Sequence, residues 1–395
     1  MSMSPRARWA VPAVVGAIVA AAFVAPPLMA SASSDDLPDV TPEQLVTDVA
    51  KAPDQPLSGT VVYTARLGLP SLPLGDVAGA SPVNLLDGSS TLRVWSDGDD
   101  RSRASLLGPT SEYSVVRDGS QAWTYSSTDD QVVHYSIPAS DQARYESMQA
   151  QPQVAGDLPT PAAAARSVLN LVEQYSSVTL DAATTVAGRS AYDLVVTPKD
   201  SDTLVGHVVV SIDAKTDTPL RVQVWSTKDT KAPSMEVGFT DVTFAKPSDA
   251  VLSFTAPAGV DTKDVVVPLP AATDEPSTAL PEGVTVSGTG WETVVQASGV
   301  NVAGLLAGST DALSTVPGSK PMIGSKSGQK LLDEFGADGS DKARELDLPT
   351  LYQTLTTAVP EGRLVQTTLG SVLVTTDGRV LVGAVPGSTL QADAR

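Results

Sequence analysis

The chain has 395 residues, of which 42% are hydrophobic, so it can build the cores of two domains of ordinary size. Its formal charge of −19 makes nucleic acid and anionic membrane surfaces poor partners, because binding phosphate requires clustered cations. The absence of cysteine excludes disulfide bonds, thiol catalysis and a cysteine-linked lipid anchor.

The first 32 residues have the pattern of an export signal. Arg6 and Arg8 precede an apolar run over residues 9–24, and the small residues Ala30-Ser31-Ala32 favour cleavage after Ala32. The apolar run is borderline in length for a membrane span, so an uncleaved N-terminal anchor is the alternative. In both cases the rest of the chain is expected outside the cytoplasm, either secreted or anchored to the outer face of the cytoplasmic membrane.

Residues 41–260 are predicted to form one mainly β domain. One helix begins at the capping residue Thr41 and a second at Thr160, and each has an apolar stripe, while residues 138–159 are expected to form a loop. Apolar residues alternate elsewhere, which predicts strands at about 57–67, 90–96, 102–107, 112–117, 121–126, 131–137, 177–186, 190–197, 204–213, 219–227, 234–240 and 241–246.

This order of elements predicts the fold class. Short turn sequences separate most strands, so we expect antiparallel pairing rather than βαβ units. An antiparallel sheet of about 11–12 strands has to curl or close. The two helices are placed to plug the concave side of such a sheet. The sequence therefore predicts a mainly β (α+β) half-barrel with an apolar cleft between sheet and helices.

An unusually apolar loop follows the first strand. Residues 67–75, L-G-L-P-S-L-P-L-G, carry Leu67, Leu69, Leu72 and Leu74 between prolines and glycines. Proline removes hydrogen-bond donors that the interior of a sheet needs, so a strand is disfavoured here. The loop is expected either to tuck onto the body of the domain or to act as a lid over an apolar ligand.

A second domain is expected after a linker. Residues 261–282 carry four prolines among acidic and small residues, which is typical of an interdomain linker. Residues 283–395 are predicted to form a small α+β domain. Its expected elements are a strand around 284–295, helices near 301–314 and 327–336, and a closing hairpin with its last turn at 376–378.

Catalytic and metal-binding patterns are weak in this chain. His134 and His207 both fall inside predicted strands, and the S-x-x-K pattern at 327–330 lacks its companion motifs. The aspartates of 97–100 fit a hairpin turn better than a calcium-binding loop. We therefore predict a protein that is not an enzyme, with no catalytic residue, metal site or cofactor. A hydrolase with an unrecognised site is the less favoured alternative.

Four segments of the chain resemble the LolA-like family. They are W-T-Y-S-S-T-D-D-Q-V-V-H-Y (123–135), G-R-S-A-Y-D-L-V-V-T-P-K-D (188–200), T-P-L-R-V-Q-V-W-S (218–226) and F-T-A-P-A-G-V (254–260), in the family's order and spacing. The resemblance covers about residues 41–260. It is to the fold shared by the periplasmic lipoprotein carrier LolA and the N-terminal domain of the envelope-stress regulator RseB. It implies a cleft that holds lipid or the acyl chains of lipoproteins.

Strand alternation supplies candidate residues for the lining of that cleft. The candidates are Tyr192, Leu194, Val196, Val208, Val210, Ile212, Leu220, Val222, Val224, Val237 and Phe239. Alternation fixes which of these residues share a face, but it does not decide between an open cleft and a filled core.

Two functions follow from the resemblance. The favoured one is an exported, monomeric binding protein that carries lipid or lipoprotein acyl chains. The alternative rests on the ending G-R-V-L-V-G-A-V-P-G-S-T-L-Q-A (378–392), which is loosely similar to that of RseB-like proteins. It predicts an envelope-stress sensor that binds a membrane-anchored protein partner through residues 283–395.

Overall fold

The computed structural model describes residues 37–70, 80, 85, 87–149, 172, 174–267, 269, 280, 282–306, 312, 315 and 348–395. The α-helices in this part of the chain include α1 (Pro42–Lys51), α2 (Gln142–Gln149), α3 (Asp249–Leu252), α4 (Val302–Leu306), α5 (Leu348–Leu355) and α6 (Gly387–Asp393). None of the described helices is long and apolar enough to span a membrane. The predicted export signal, with its cleavage site at Ala32, lies outside the described residues.

The first sheet has thirteen strands among the described residues. They are β1 (Leu57–Ala65), β2 (Gly88–Ser96), β3 (Arg101–Leu107), β4 (Glu112–Asp118), β5 (Gln121–Ser126), β6 (Gln131–Ser136), β7 (Ser176–Leu180), β8 (Thr184–Val186), β9 (Arg189–Pro198), β10 (Val205–Asp213), β11 (Pro219–Ser226), β12 (Met235–Thr243) and β13 (Asp261–Val266). Their order is β13-β6-β5-β4-β3-β2-β1-β12-β11-β10-β9-β7, with β8 also pairing with β9.

Strand pairing in this sheet confirms the predicted half-barrel. Neighbouring strands are antiparallel, except that β13 runs parallel to β6. The two end strands of the described order, β13 and β7, do not pair with each other, so the sheet does not close into a barrel. The predicted fold class, a mainly β half-barrel built from an antiparallel sheet, is therefore confirmed.

Helix α1 lies against one face of this sheet. The Thr41 hydroxyl accepts a hydrogen bond from the Gln44 N–H (3.2 Å), and Pro42 occupies the first turn, so the helix begins as its capping sequence predicts. Leu45 of α1 is buried in one cluster with residues of β1, β2 and β9–β12. We call the face that packs against α1 the inner face, and the opposite one the outer face.

Tight turns set the register of the hairpins. Asp118 lies directly opposite Gln121, so β4 and β5 are joined by a two-residue turn in which Gly119 has φ 58°. Ala187 (φ 51°) and Gly188 (φ 74°) form the turn between β8 and β9. Positive φ at both central positions matches the twist of the flanking strands, which is why glycine is favoured there.

Residues after β12 cover part of the outer face. Helix α3 packs on β2, β3 and β4. Val116, Val132 and Leu252 are fully buried. The ring of Trp123 stacks on that of Phe254, with ring centroids 5.9 Å apart. The first sheet is thus packed on both faces, at different places along its width.

The second sheet belongs to the C-terminal part of the chain. Its strands are β14 (Val284–Ser287), β15 (Val294–Ala297), β16 (Thr357–Val359), β17 (Gly362–Gln366), β18 (Ser371–Thr375) and β19 (Val380–Gly383), in the order β14-β15-β19-β18-β17-β16. Helix α6 covers one face, where Val294, Leu373, Leu381 and Leu390 form a buried cluster. This confirms an α+β domain.

Direct hydrogen bonds join the two domains. The N–H of Leu204 donates to the Ala384 carbonyl (2.7 Å). The Trp291 indole N–H donates to the Ser176 hydroxyl (2.8 Å), and the side chain of Trp291 is part of the core of the first sheet. The C-terminal domain therefore completes the core of the half-barrel and is not merely tethered to it.

The predicted linker begins too early in the sequence. Residues 261–266 form β13, which pairs with β6 and buries Val265. Its first four residues, D-T-K-D, are polar, and the strand lies at the edge of the sheet, where Asp261, Thr262 and Asp264 are exposed. Of the remaining linker residues, the structure describes 267, 269, 280 and 282.

Several other element boundaries were wrong. The predicted strand 177–186 is two strands, β7 and β8, and the predicted pair 234–240 and 241–246 is the single strand β12 with a register shift opposite Thr60 and Val61. The predicted loop 138–159 contains α2, because Tyr145 donates to the Gly119 carbonyl (2.8 Å) and so fixes a helix against the sheet.

The C-terminal prediction was partly correct. The turn at 376–378 is confirmed, but the predicted strand 284–295 is two strands separated by Gly288 and Gly290, both with positive φ. Helices α5 and α6 were missed. The predicted helix near 301–314 is described over its first part, where α4 forms, and at residue 312. The predicted helix near 327–336 and most of the one beginning at Thr160 lie outside the described residues.

Candidate ligand-binding face

The predicted lining residues come together in cross-strand rows on the inner face. One row contains Leu194, Val210, Val222, Val237 and Tyr63, each opposite the next. A second row contains Val196, Val208, Val224, Met235 and Ala65. Ile212 lies opposite Tyr192, while Leu220 and Phe239 belong to the same cluster. Alternation therefore assigned these residues to one face correctly.

This part of the inner face is filled by protein side chains. All of the predicted lining residues except Tyr192 are buried. The residues that pack with them include Leu45 from α1, Tyr175, and Trp291 from the C-terminal domain. We call this packed region, on β1, β2 and β7–β12, the core half. Contact between its residues and a ligand stays a prediction.

Tyr192 lies at the border of the core half. Its hydroxyl donates to the carbonyl of Pro38 (2.9 Å), which holds the segment before α1 against the sheet. Burial raises the pKa of the Tyr192 hydroxyl, and the carboxylates of Asp217 and Asp39 raise it further. The hydroxyl is therefore a neutral hydrogen-bond donor at ordinary pH.

The inner face continues onto β3–β6, beyond the predicted lining. Val94 of the core cluster lies opposite Ala104, and the same row runs on through Val115, Thr124 and Val133. Val115 is 41% exposed although β4 has a neighbour on each side. An apolar side chain in the middle of a sheet, on the continuation of a core face, is thus open to solvent.

Polar groups flank this exposed valine. Burial raises the pKa of the Tyr113 hydroxyl, the nearby Tyr135 raises it further, and a hydrogen bond with Thr124 opposes the rise. Ala104 and these three residues are all partly exposed. We call Ala104, Tyr113, Val115, Thr124 and Tyr135 the Val115 patch. It combines apolar surface with neutral hydroxyl groups.

Helix α2 borders the patch. Arg117 lies two residues beyond Val115 on the same strand and therefore shares its face. Its guanidinium donates to the Tyr145 hydroxyl of α2 (3.2 Å), and that hydroxyl donates to the Gly119 carbonyl. The helix is thereby fixed beside the Val115 patch. Sequence reasoning missed the patch, although E-Y-S-V-V-R-D (112–118) alternates visibly.

The predicted lid loop is described only at its beginning. Leu67 and Leu69 are half-buried, and Leu72 and Leu74 lie outside the described residues. The carbonyl of Leu67 accepts a hydrogen bond from the Thr368 N–H (2.9 Å), and that of Arg66 accepts one from the Thr368 hydroxyl (3.1 Å). A loop of the C-terminal domain therefore holds the stem of the predicted lid.

The residues considered for chemistry are held in structural contacts. His134 stacks on Trp123 and lies 2.8 Å from the Asp264 carboxylate, and His207 stacks on Trp225. Asp97 accepts hydrogen bonds from Arg101 within its turn. Among the described residues, no group of three or more histidines, aspartates and glutamates is arranged to hold a metal ion.

No protein-family model and no curated protein sequence matches the chain. Solved structures do match it at low identity. A chain of the MucA/MucB complex from Pseudomonas aeruginosa is 17% identical, with 89% of this chain and 96% of that chain covered and a TM-score of 0.40.

Two smaller structures match about half of this chain. A LolA superfamily protein from Nitrosomonas europaea is 11% identical, covering 55% of this chain and 99% of its own, with a TM-score of 0.21. A putative outer membrane lipoprotein-sorting protein domain from Vibrio parahaemolyticus is 10% identical, covering 52% and 93%, also with a TM-score of 0.21.

Proposed function

We propose that this protein is an exported carrier or chaperone that holds acyl chains of lipids or lipoproteins on the inner face of its half-barrel. The observation that carries the proposal is the exposure of Val115 on an interior strand, on the continuation of the apolar core face. Leaving apolar surface in water costs about 25 cal/mol per Å². An acyl chain that covers this surface recovers the same free energy per Å², which stabilises the complex.

The surroundings of Val115 suit an amphiphile rather than a pure hydrocarbon. Tyr113, Thr124 and Tyr135 share the face of the valine, and Thr124 lies directly opposite it. They can donate to an ester or amide carbonyl at the head of an acyl chain. Binding of this kind needs apolar surface and a few hydrogen bonds, which agrees with the absence of any catalytic motif that rises above chance in the sequence.

The proposal includes export of the protein from the cytoplasm. The basic residues, apolar run and small residues of the first 32 positions support export, and a chain without cysteine folds in an oxidising compartment without mispairing. An extracytoplasmic place would put the protein where lipoproteins and lipids are exchanged between membrane components.

The test is lipid extraction and native mass spectrometry of the protein purified without denaturant, followed by titration with a fluorescent fatty acid. We expect co-purified amphiphile and saturable binding. Val115→Asp should abolish binding, because a carboxylate on the patch has to be desolvated by the acyl chain. Leu107→Asp is the matched control, since Leu107 is 38% exposed but lies on the outer face. Equal binding by both variants would contradict the proposal.

A second candidate function, a sensor that binds a membrane-anchored protein, is favoured by the second sheet. On the face opposite α6, five valines lie in direct register across five strands. They are Val286, Val295, Val382, Val372 and Val365. Val382 is 44% exposed, so the row offers apolar surface to a partner.

Co-purification distinguishes this candidate from the first. Val382→Lys should release a protein partner and leave fatty-acid binding unchanged. Val115→Asp should abolish fatty-acid binding and leave the protein partner bound. If the partners recovered with the wild-type chain and with Val382→Lys are the same, the sensor hypothesis fails. A point variant is preferable to deleting residues 283–395, because Trp291 belongs to the core of the half-barrel.

A further inference from the structure

Four polar or aromatic residues form a row at one end of the outer face. His207 lies opposite Trp225. The Ser234 N–H donates to the Val224 carbonyl (2.9 Å), and the Arg66 N–H donates to the Ser234 carbonyl (2.7 Å). These bonds continue the pairing of β11, β12 and β1 by one residue. Since Val224 and Met235 pack in the core, the next residues along, Trp225 and Ser234, point to the outer face.

Two polar atoms of this row have no hydrogen-bond partner although they are shielded from solvent. They are the indole nitrogen of Trp225 and the hydroxyl oxygen of Ser234. Ser234 as a whole is only 2% exposed. Buried polar groups without a partner are rare in folded proteins, because each has lost its water without compensation. Two such atoms lie close together here, on β11 and on the residue before β12, and neither is used by a protein group.

The neighbours of these atoms indicate the charge of that ligand. One guanidinium nitrogen of Arg66 donates to the Pro233 carbonyl (3.1 Å), which holds its charge beside Ser234 and leaves other N–H donors for a ligand. Lys228 and Lys231 lie in the exposed loop between β11 and β12. Two carboxylates are also close in sequence, and each accepts a hydrogen bond: Glu236 from the Gln223 amide and Asp229 from the Lys231 N–H.

The stacking of His207 on Trp225 fixes the direction of the indole. The ring centroids are 5.3 Å apart and the planes differ by 13°. Burial lowers the pKa of His207, so the imidazole is neutral at ordinary pH and stacks without bringing a competing cation. The indole N–H and the serine hydroxyl are therefore donors without a protein partner, and the Arg66 guanidinium lies on the same face.

We propose that His207, Trp225, Ser234 and Arg66 form a binding site for a phosphate group, separate from the acyl-binding face. A tetrahedral oxyanion accepts hydrogen bonds from the Trp225 indole N–H, the Ser234 hydroxyl and the Arg66 guanidinium at once. The source of the group is either free phosphate or the headgroup of an anionic phospholipid, since both present the same oxygens.

The site lies next to the joint between the two domains. Ser226, the residue after Trp225, donates to the carbonyl of Thr368 (2.6 Å), and Thr368 in turn contacts Arg66 and Leu67. A phosphate bound by Arg66 is therefore one residue from the contacts that hold the C-terminal domain against the half-barrel. Binding there should make the joint more rigid.

The experiment follows the indole N–H signals of the full-length protein, labelled with ¹⁵N at its tryptophans, during titration with sodium phosphate. Trp225→Phe assigns the relevant signal. We expect that signal to shift and saturate, while the signal of Trp123, on the same face but distant along the strand order, stays unchanged. Arg66→Gln should weaken the binding by about tenfold or more, because it removes a charge-assisted hydrogen bond.

A second titration, with short-chain phosphatidic acid below its micelle concentration, separates the two sources. Saturation by phosphate alone assigns the site to the free ion. Saturation only by the lipid assigns it to a headgroup. The proposal is overturned if neither probe moves the Trp225 signal, or if Ser234→Ala and Arg66→Gln both leave the shift and its midpoint unchanged. Ser234→Ala keeps the size of the side chain small and so preserves the fold.

Discussion

The two parts of the inner face are made from the same pattern of alternating residues but end in different states. In the core half, valines and leucines of β9–β12 are buried under α1, Tyr175 and Trp291. In the Val115 patch, on β3–β6, the valine of the same face is exposed. The difference shows that burial is decided by what packs on a strand, not by the strand itself. It also separates the region that stabilises the fold from the one proposed to bind a ligand.

The largest expected effect concerns a buried ion pair of the first sheet. Arg189 donates twice to Asp213 (2.6 Å each), and both side chains are buried at the ends of β9 and β10. Arg189→Met leaves a buried carboxylate without its cation, so we expect a loss of about 3–5 kcal/mol in the free energy of unfolding. Urea unfolding measures it. Asp249→Asn is the control, because that carboxylate is 79% exposed, and its loss should stay below about 1 kcal/mol.

Truncation of one side chain in each region tests the comparison itself. Leu194→Ala opens a cavity in the core half and should lower the free energy of unfolding by about 2–5 kcal/mol. Val115→Ala removes two exposed methyl groups and should change it by less than about 0.5 kcal/mol. The same denaturant titration serves both variants. Similar losses for the two would mean that the Val115 patch is part of the core after all.

The joint between the domains should have a smaller effect on stability. Trp291→Phe keeps most of the aromatic volume but leaves the buried Ser176 hydroxyl without its donor, so we expect a loss of about 1–3 kcal/mol. A double-mutant cycle with Ser176→Ala isolates the hydrogen bond. Strictly additive losses would show that Trp291 acts through packing alone.

The smallest effect concerns pH. Burial raises the pKa of Tyr113 above its ordinary value of 10.0, so the folded state holds this proton more tightly than the unfolded state. The resulting stability is fully present below the ordinary pKa and is lost as the pH rises through the folded-state pKa. Tyr113→Phe should therefore reduce the alkaline decline in unfolding free energy.

Ligand binding should enlarge this shift in pKa. An acyl chain that covers the Val115 patch removes more water from the Tyr113 hydroxyl, so the ultraviolet titration of its phenolate should move to higher pH in the presence of fatty acid. A titration curve that is the same with and without ligand would place the ligand elsewhere.

The sequence predicted the strands of the half-barrel well, because hydrophobic alternation and turn residues are local. Leu194, Val196 and Val210 were correctly placed on one face. Their burial was not predictable, since it depends on Trp291 and on α1, which are far away in the sequence. Strand β13 was missed because its lysine and aspartates resemble those of a linker.

The Val115 patch shows a sharper limit. Val115 and Val116 are chemically identical neighbours, yet Val116 is fully buried on the outer face, where α3 packs on β4, and Val115 is exposed on the inner face. Nothing local distinguishes the two residues. Only the path of the chain after β12, which brings α3 to the outer face, decides which one remains open.

The most direct test of the central claim is photo-crosslinking with a fatty acid that carries a diazirine on its acyl chain, followed by mapping of the modified residues by mass spectrometry. Acyl binding at the Val115 patch predicts adducts on inner-face residues of β4–β6, with competition by unlabelled fatty acid and loss in Val115→Asp. Adducts confined to the outer face, or adducts that persist in that variant, would contradict it.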